Sequence, residues 1–327
     1  MHNYIASLIQ KNGPISVEEF MQIALYHPEF GYYQRQTVLG RQGDYITSPE
    51  ISQVFGELVA LWLFDTWQQL GSKTPIQFIE LGPGRGTMMA DILRTLERIK
   101  AFPISELSVH LVEVSPFLRQ QQKNQLSKYS FINWTDDLTT VPEQESCFIL
   151  ANEFFDALPI QQYAENNELR RINIDENGQL FFVNECSKEQ CPSYFPIIEK
   201  ISKHLKTGAS AALIIDYGDY TIGNRIGETL QALKNHGYCS IFEEGSDLSH
   251  QVNFKQLEDD FKTCDIQTLP AISQSDFLTS LGINERTVAL CKNASIEQKN
   301  ILLSGSARLI APSHMGELFK VMKIIKQ

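Results

Sequence analysis

Apolar positions follow two regimes along the chain. Up to residue 72 they recur at helical spacing. Ile5, Leu8 and Ile9 precede the break Asn12-Gly13-Pro14, and Phe20, Ile23 and Ala24 line one face of a second helix. Ser16-Val17-Glu18-Glu19 opens that helix with a capping serine and a glutamate three residues on. Val54, Leu58, Leu61, Trp62 and Trp67 predict a long helix that stops at Gly71, with Ser48 as its cap, Pro49 at its first position and Glu50 in its first turn.

From residue 76 the pattern becomes short apolar runs separated by helical ones. Strands are predicted at 76–80, 107–114, 146–151 and 210–216, with helices at 86–100 and 116–126. Apolar runs of that length, alternating with helices, predict an α/β fold with a mostly parallel sheet buried on both faces. Residues 160–208 interrupt it. Alternation at 161–164 and 168–174, the turn Glu176-Asn177-Gly178 and the run 180–183 predict an inserted antiparallel hairpin. Farther on, helices are expected at 227–235 and 253–263, and strands near Gln267 and at 319–322. The expected organisation is a helical segment over 1–72, on the substrate side of a core over 73–327.

Charge narrows the possible partners. Lys and Arg number 28 against 39 Asp and Glu, a net −11 over 327 residues. Such a surface repels phosphate backbones, and Arg170-Arg171, Lys323 and Lys326 are too sparse to form a basic patch, so no nucleic-acid partner is expected. The six cysteines contain no Cys-x-x-Cys pair, which predicts free thiols and no metal. No apolar run reaches the roughly 18–20 residues of a membrane span. Met1-His2-Asn3-Tyr4 begins neither a secretory signal nor an Arg-rich transit peptide, so a cytoplasmic, bacterial protein without a membrane partner is expected.

The first predicted strand ends in Glu80 and runs directly into Gly82-Pro83-Gly84-Arg85-Gly86 and a helix. Glycines allow a sharp turn and a close ligand approach, and the helix N-terminus offers free N–H groups. The spacing Gly-x-Gly-x-Gly differs from the dinucleotide fingerprint, and no Gly-Lys-Ser/Thr follows, which excludes a P-loop. An acid at 80 suits a cationic amino-acid moiety better than a pyrophosphate. Glu113, at the tip of the next strand, can accept hydrogen bonds from ribose hydroxyls. Asp136 and Asp137 stand where a side chain can meet an adenine amino group. Asn152-Glu153-Phe154-Phe155-Asp156 leaves the third predicted strand. If a helical turn starts there, Glu153 and Asp156 share one face and can grip a cationic group. Tyr32, Tyr33, Asp44 and Tyr45, among glycines at 31, 40 and 43, form a candidate lid.

Three stretches, 43–52, 80–87 and 152–159, resemble the MidA family of class I methyltransferase-fold proteins, which includes a mitochondrial arginine methyltransferase that assists respiratory complex I assembly. Ile215-Asp216-Tyr217-Gly218, Asp247-Leu248-Ser249-His250 and Met315-Gly316-Glu317-Leu318 fit the same pattern in the same order. The resemblance implies S-adenosylmethionine at Gly82, Pro83, Gly84, Gly86 and Glu113, with arginine methylation of a protein substrate as the expected activity. By their place at the exit of the third predicted strand, Asn152, Glu153 and Asp156 are the candidates to meet the methyl acceptor. A small-molecule acceptor, an assembly factor without turnover, and a homodimer are left open by the sequence.

Overall fold

The computed structural model describes residues 1–34, 46–222 and 227–326. The chain forms two compact units. One comprises Met1–Tyr45, Phe155–Ile198 and Gly218–Asp260, and the other Ile46–Phe154, Glu199–Tyr217 and Phe261–Gln327.

The second unit is built on a mostly parallel sheet of β1 (Ile76–Leu81), β2 (Leu107–Val112), β3 (Ile132–Thr135), β4 (Cys147–Asn152), β5 (Ser210–Asp219), β6 (Ile272–Ser273) and β7 (Phe319–Lys326). Their order across the sheet is β6-β7-β5-β4-β1-β2-β3. β1 pairs in parallel with β2 and β4, and β7 runs antiparallel beside β5. Chain order thus reverses between β1 and β4, the switch point at which open α/β sheets bind ligands. Every residue of β1 is buried, as are the first five of β4. Phe78 and Phe148 cross edge-on at 5.7 Å in the core between helices and sheet.

Helices α1 (Gln53–Gln69), α2 (Thr87–Leu96) and α3 (Pro116–Gln125) belong to the same unit. Ser48 does not cap the long helix. A four-residue helix, Ser48–Ile51, comes first, and the chain breaks at an extended Ser52, whose hydroxyl accepts from Val54 N at 3.3 Å and caps α1. β3 escapes the sequence pattern because Ile132-Asn133-Trp134-Thr135 mixes polar and apolar positions, as an edge strand does. The strand expected near Gln267 is absent. Leu269 N donates to Lys323 O in that segment, and β6 is the neighbour of β7.

In the first unit, the capping box at Ser16 and Glu19 forms as expected. The expected hairpin is present, with Ile172 opposite Phe182 and Gly178 at positive φ in the turn. Gln161–Tyr163 pairs with Lys188–Gln190 rather than joining that hairpin as a strand. The helix expected at 227–235 is instead a strand, Gln231–Lys234, paired with Gly237–Cys239 and Asp247–Ser249. Asn235 and His236 both adopt positive φ, so a tight two-residue hairpin turn overrides the helical spacing there. No helix among the described residues is long and apolar enough to cross a membrane.

Candidate active site

Glu80, Glu113, Asn152 and Glu153, at or just past the strand ends beside the switch point, belong to the second unit. β1 delivers Glu80, which is 2% exposed and whose Oε2 has no hydrogen-bond partner. Burial, and then the neighbouring Glu113, push its carboxyl up to about 8. The chain then turns through Gly82, Gly84 and Gly86, at φ 61°, 53° and 81°. A Cβ on Gly82 would lie 2.9 Å from Cδ2 of Phe154, so conformation and space both require glycine. Gly86 begins α2 without a side-chain cap, which leaves the first-turn amides to an incoming acceptor.

Glu113 follows β2, buried beside this turn. Its Oε1 accepts from Ser115 N at 2.8 Å and its Oε2 from Gln122 Nε2 at 3.4 Å. Burial raises its carboxyl to about 7 against the lowering effect of those bonds. Two acids held at the tips of adjacent strands, both raised by desolvation, mark a candidate ligand site: ionised, either can pair with a positive charge, and either can accept from hydroxyls.

Asn152 ends β4. Its Nδ2 donates to Glu153 Oε1 at 3.3 Å, while its buried Oδ1 has no partner. Glu153 takes φ 50°, its N–H bonds to Ile215 O, and its Oε1 accepts from Ser48 N at 2.8 Å. The next amide, Phe154 N, donates to the fully buried Asp216 at 3.2 Å. Left-handed geometry at Glu153 rules out the helical face expected to carry it together with Asp156. The helical turn there, Phe155–Ala157, starts only after Glu153, and Asp156 belongs to the first unit.

The remaining expected residues separate. Asp136 is exposed just past β3. Asp137 accepts from Thr139 N and Lys200 Nζ, both at 2.9 Å, and these bonds hold its carboxyl down at about 2. Its side chain is therefore engaged in a turn and an ion pair. Tyr32 is fully buried in the first unit, edge-on to Tyr33 at 5.3 Å. Burial pushes the Tyr33 hydroxyl well above its ordinary range, with Asp247, Tyr26 and Asp156 adding to the effect. Asp44 and Tyr45, with glycines 40 and 43, lie outside the described residues. Gln122, Phe154, Asp216 and the Ser48 amide join the site without having been expected there. Only Asp216 carries a usable signal, an acid inside an apolar strand like Glu80.

The residues present fit an amino-acid-bearing nucleoside. Two buried oxygens, Glu80 Oε2 and Asn152 Oδ1, lack donors, and the turn that follows Glu80 leaves no room for a side chain at Gly82. Residues 58–185 and 173–272 match the family model described as S-adenosyl-L-methionine-dependent methyltransferase. The chain belongs to this methyltransferase family. Full-length relatives agree. "Protein arginine methyltransferase NDUFAF7, mitochondrial" of Danio rerio is 34% identical, covering 98% of this chain and 86% of its own length. Its Homo sapiens counterpart is 32% identical, covering 99% and 83%. A Burkholderia thailandensis structure bound to S-adenosyl-homocysteine superposes with a TM-score of 0.86 at 23% identity, over 99% of this chain and 91% of that one. The sheet is the class I methyltransferase fold, and S-adenosylmethionine is the cofactor of this methyltransferase.

Proposed function

We propose that the chain methylates an arginine side chain of a protein. The observation that carries this reading is end-to-end similarity: relatives named as protein arginine methyltransferases align over 98–99% of the chain. The site chemistry is compatible with it. Glu80 takes the cationic amino-acid end of the cofactor and Glu113 its ribose hydroxyls, while the 82–86 turn lets the backbone come close. Asp136 is the remaining candidate for the adenine amino group, since Asp137 is engaged elsewhere. When bound, the cofactor supplies a methyl group on a positively charged sulfur. Asn152 and Glu153 then face the acceptor. The Ser48 amide fixes one oxygen of Glu153, so the carboxylate is oriented before substrate arrives and can align a guanidinium nitrogen and hold its departing proton.

The test is transfer of label from methyl-labelled cofactor to proteins of a lysate from cells lacking this chain, followed by hydrolysis to amino acids. Label in methylarginine is expected. Label confined to a small-molecule fraction, or to another amino acid, would overturn the acceptor assignment.

A further inference from the structure

Gln122 lies in α3, outside every motif in the sequence, yet it is completely buried and each end of its amide is used. Trp134 Nε1, at the end of β3, donates to its Oε1 at 3.1 Å. An indole nitrogen can only donate, so this bond fixes which end of the amide is oxygen. The NH₂ end must then point the other way, and it does: Nε2 donates to Gly84 O at 2.7 Å and reaches Glu113 Oε2 at 3.4 Å. The Gln122 Cγ also lies 3.4 Å from where a Cβ on Gly86 would stand, so α3 packs directly under the turn.

We infer that Gln122 is a positioning residue for cofactor binding, oriented by Trp134, which locks the glycine turn to the ribose-side acid Glu113. A turn of three left-handed residues and a buried carboxylate come from different strands. Without a shared partner, each must be ordered when the nucleoside arrives, at a cost to affinity. Gln122 joins them in advance. The direction of its amide matters as much as its presence. An acceptor in place of the NH₂ would face two acceptors, the Gly84 carbonyl and the Glu113 carboxylate. This inference rests on the assignment of S-adenosylmethionine to the site.

The test is calorimetric titration of S-adenosylhomocysteine into the full-length wild type and Gln122→Glu, Gln122→Met and Trp134→Phe variants. Gln122→Glu is expected to bind about tenfold or more weakly at about pH 8, and the deficit relative to wild type should narrow near pH 6, where the introduced carboxyl regains a proton to donate. Measuring a ratio to wild type cancels the titration of Glu80, whereas the introduced carboxyl titrates together with Glu113, which it touches, and the narrowing reports that pair. The cations nearby are Arg119, bonded to Glu113 O, and Lys123, over the Trp134 ring. Gln122→Met keeps the volume and should lose affinity by a similar factor at both pH values. Trp134→Phe, at a half-buried edge, frees the amide to flip and should show a smaller loss. Gln122→Met binding within about twofold of wild type, or a Gln122→Glu deficit that does not change with pH, would overturn the role. A wild type that takes up no ligand would instead refute the cofactor assignment beneath it.

Discussion

The ring of Phe154 fills the space that a side chain on Gly82 would need, 2.9 Å from the position of its Cβ. Gly82 follows β1 and Phe154 follows β4, so the two turns that flank the switch in strand order are packed against each other. The amide of Phe154 is in turn held by Asp216 of β5. The floor of the site is therefore set by three neighbouring strands through one aromatic ring and one buried acid.

Gly82→Ala tests that contact. At φ 61° an alanine costs on the order of 1 kcal/mol in backbone strain alone, and the methyl must displace the Phe154 ring. A drop of a few degrees in melting temperature is expected, with about tenfold weaker binding of S-adenosylhomocysteine. An alanine variant that binds as tightly as wild type would show that the ligand does not lie against this turn.

Glu80 makes ligand-free stability depend on pH. Its folded value, about 8, lies above the ordinary 4.5, so the folded state holds the proton more tightly than the unfolded chain. The stability this gives is fully present below about 4.5 and is lost as pH rises through about 8. Glu113 acts in the same direction up to about 7. Glu80→Gln removes the larger part of this dependence. Scanning calorimetry of the ligand-free protein between those limits should show a melting temperature that falls with pH in wild type and stays flatter in the variant. Equal slopes would contradict the burial of an ionisable group at 80.

Binding of a cationic ligand must ionise that carboxyl. Near pH 7, titrations with cofactor in two buffers of different ionisation enthalpy should report up to about one proton released. Uptake of protons would place the charge of the ligand away from Glu80.

Glu153→Gln separates orientation from binding. The amide oxygen can still accept from Ser48 N, so the turn is preserved while the negative charge is lost. Turnover should fall by about a hundredfold with little change in cofactor affinity. Cofactor binding lost while turnover per bound cofactor stays normal would reverse the assignment.

Much of this site is legible in the chain itself because its signals are local. An apolar strand that ends in an acid and runs into Gly82-Pro83-Gly84-Arg85-Gly86 specifies strand, turn and helix within about a dozen residues. The cap of α1 at Ser52 rather than Ser48 is hidden, since both serines satisfy the same pattern and only the extended Ser52 separates the two helices. The segment around Gln231–Lys234 reads as helix because Leu230 and Leu233 stand three apart, yet that spacing carries less weight than a turn with Asn235 and His236 at positive φ. Gln122 has no local signal. A glutamine within a polar helix looks solvated until the fold brings Trp134, Gly84 and Glu113 around it. Glu153 and Asp156 fail as a pair for a related reason: three-residue spacing joins two side chains only if the backbone between them is helical, and Glu153 is left-handed.

Whether the acids beside the 82–86 turn hold the nucleoside is decided by binding of S-adenosylhomocysteine to Glu113→Ala, with circular dichroism to confirm an intact fold. Glu113 is buried at the tip of β2 next to the glycine turn and can accept both ribose hydroxyls. Stoichiometric binding by wild type, with affinity reduced by about a hundredfold or more in the folded variant, is the predicted result. A folded Glu113→Ala protein that binds with wild-type affinity would contradict it.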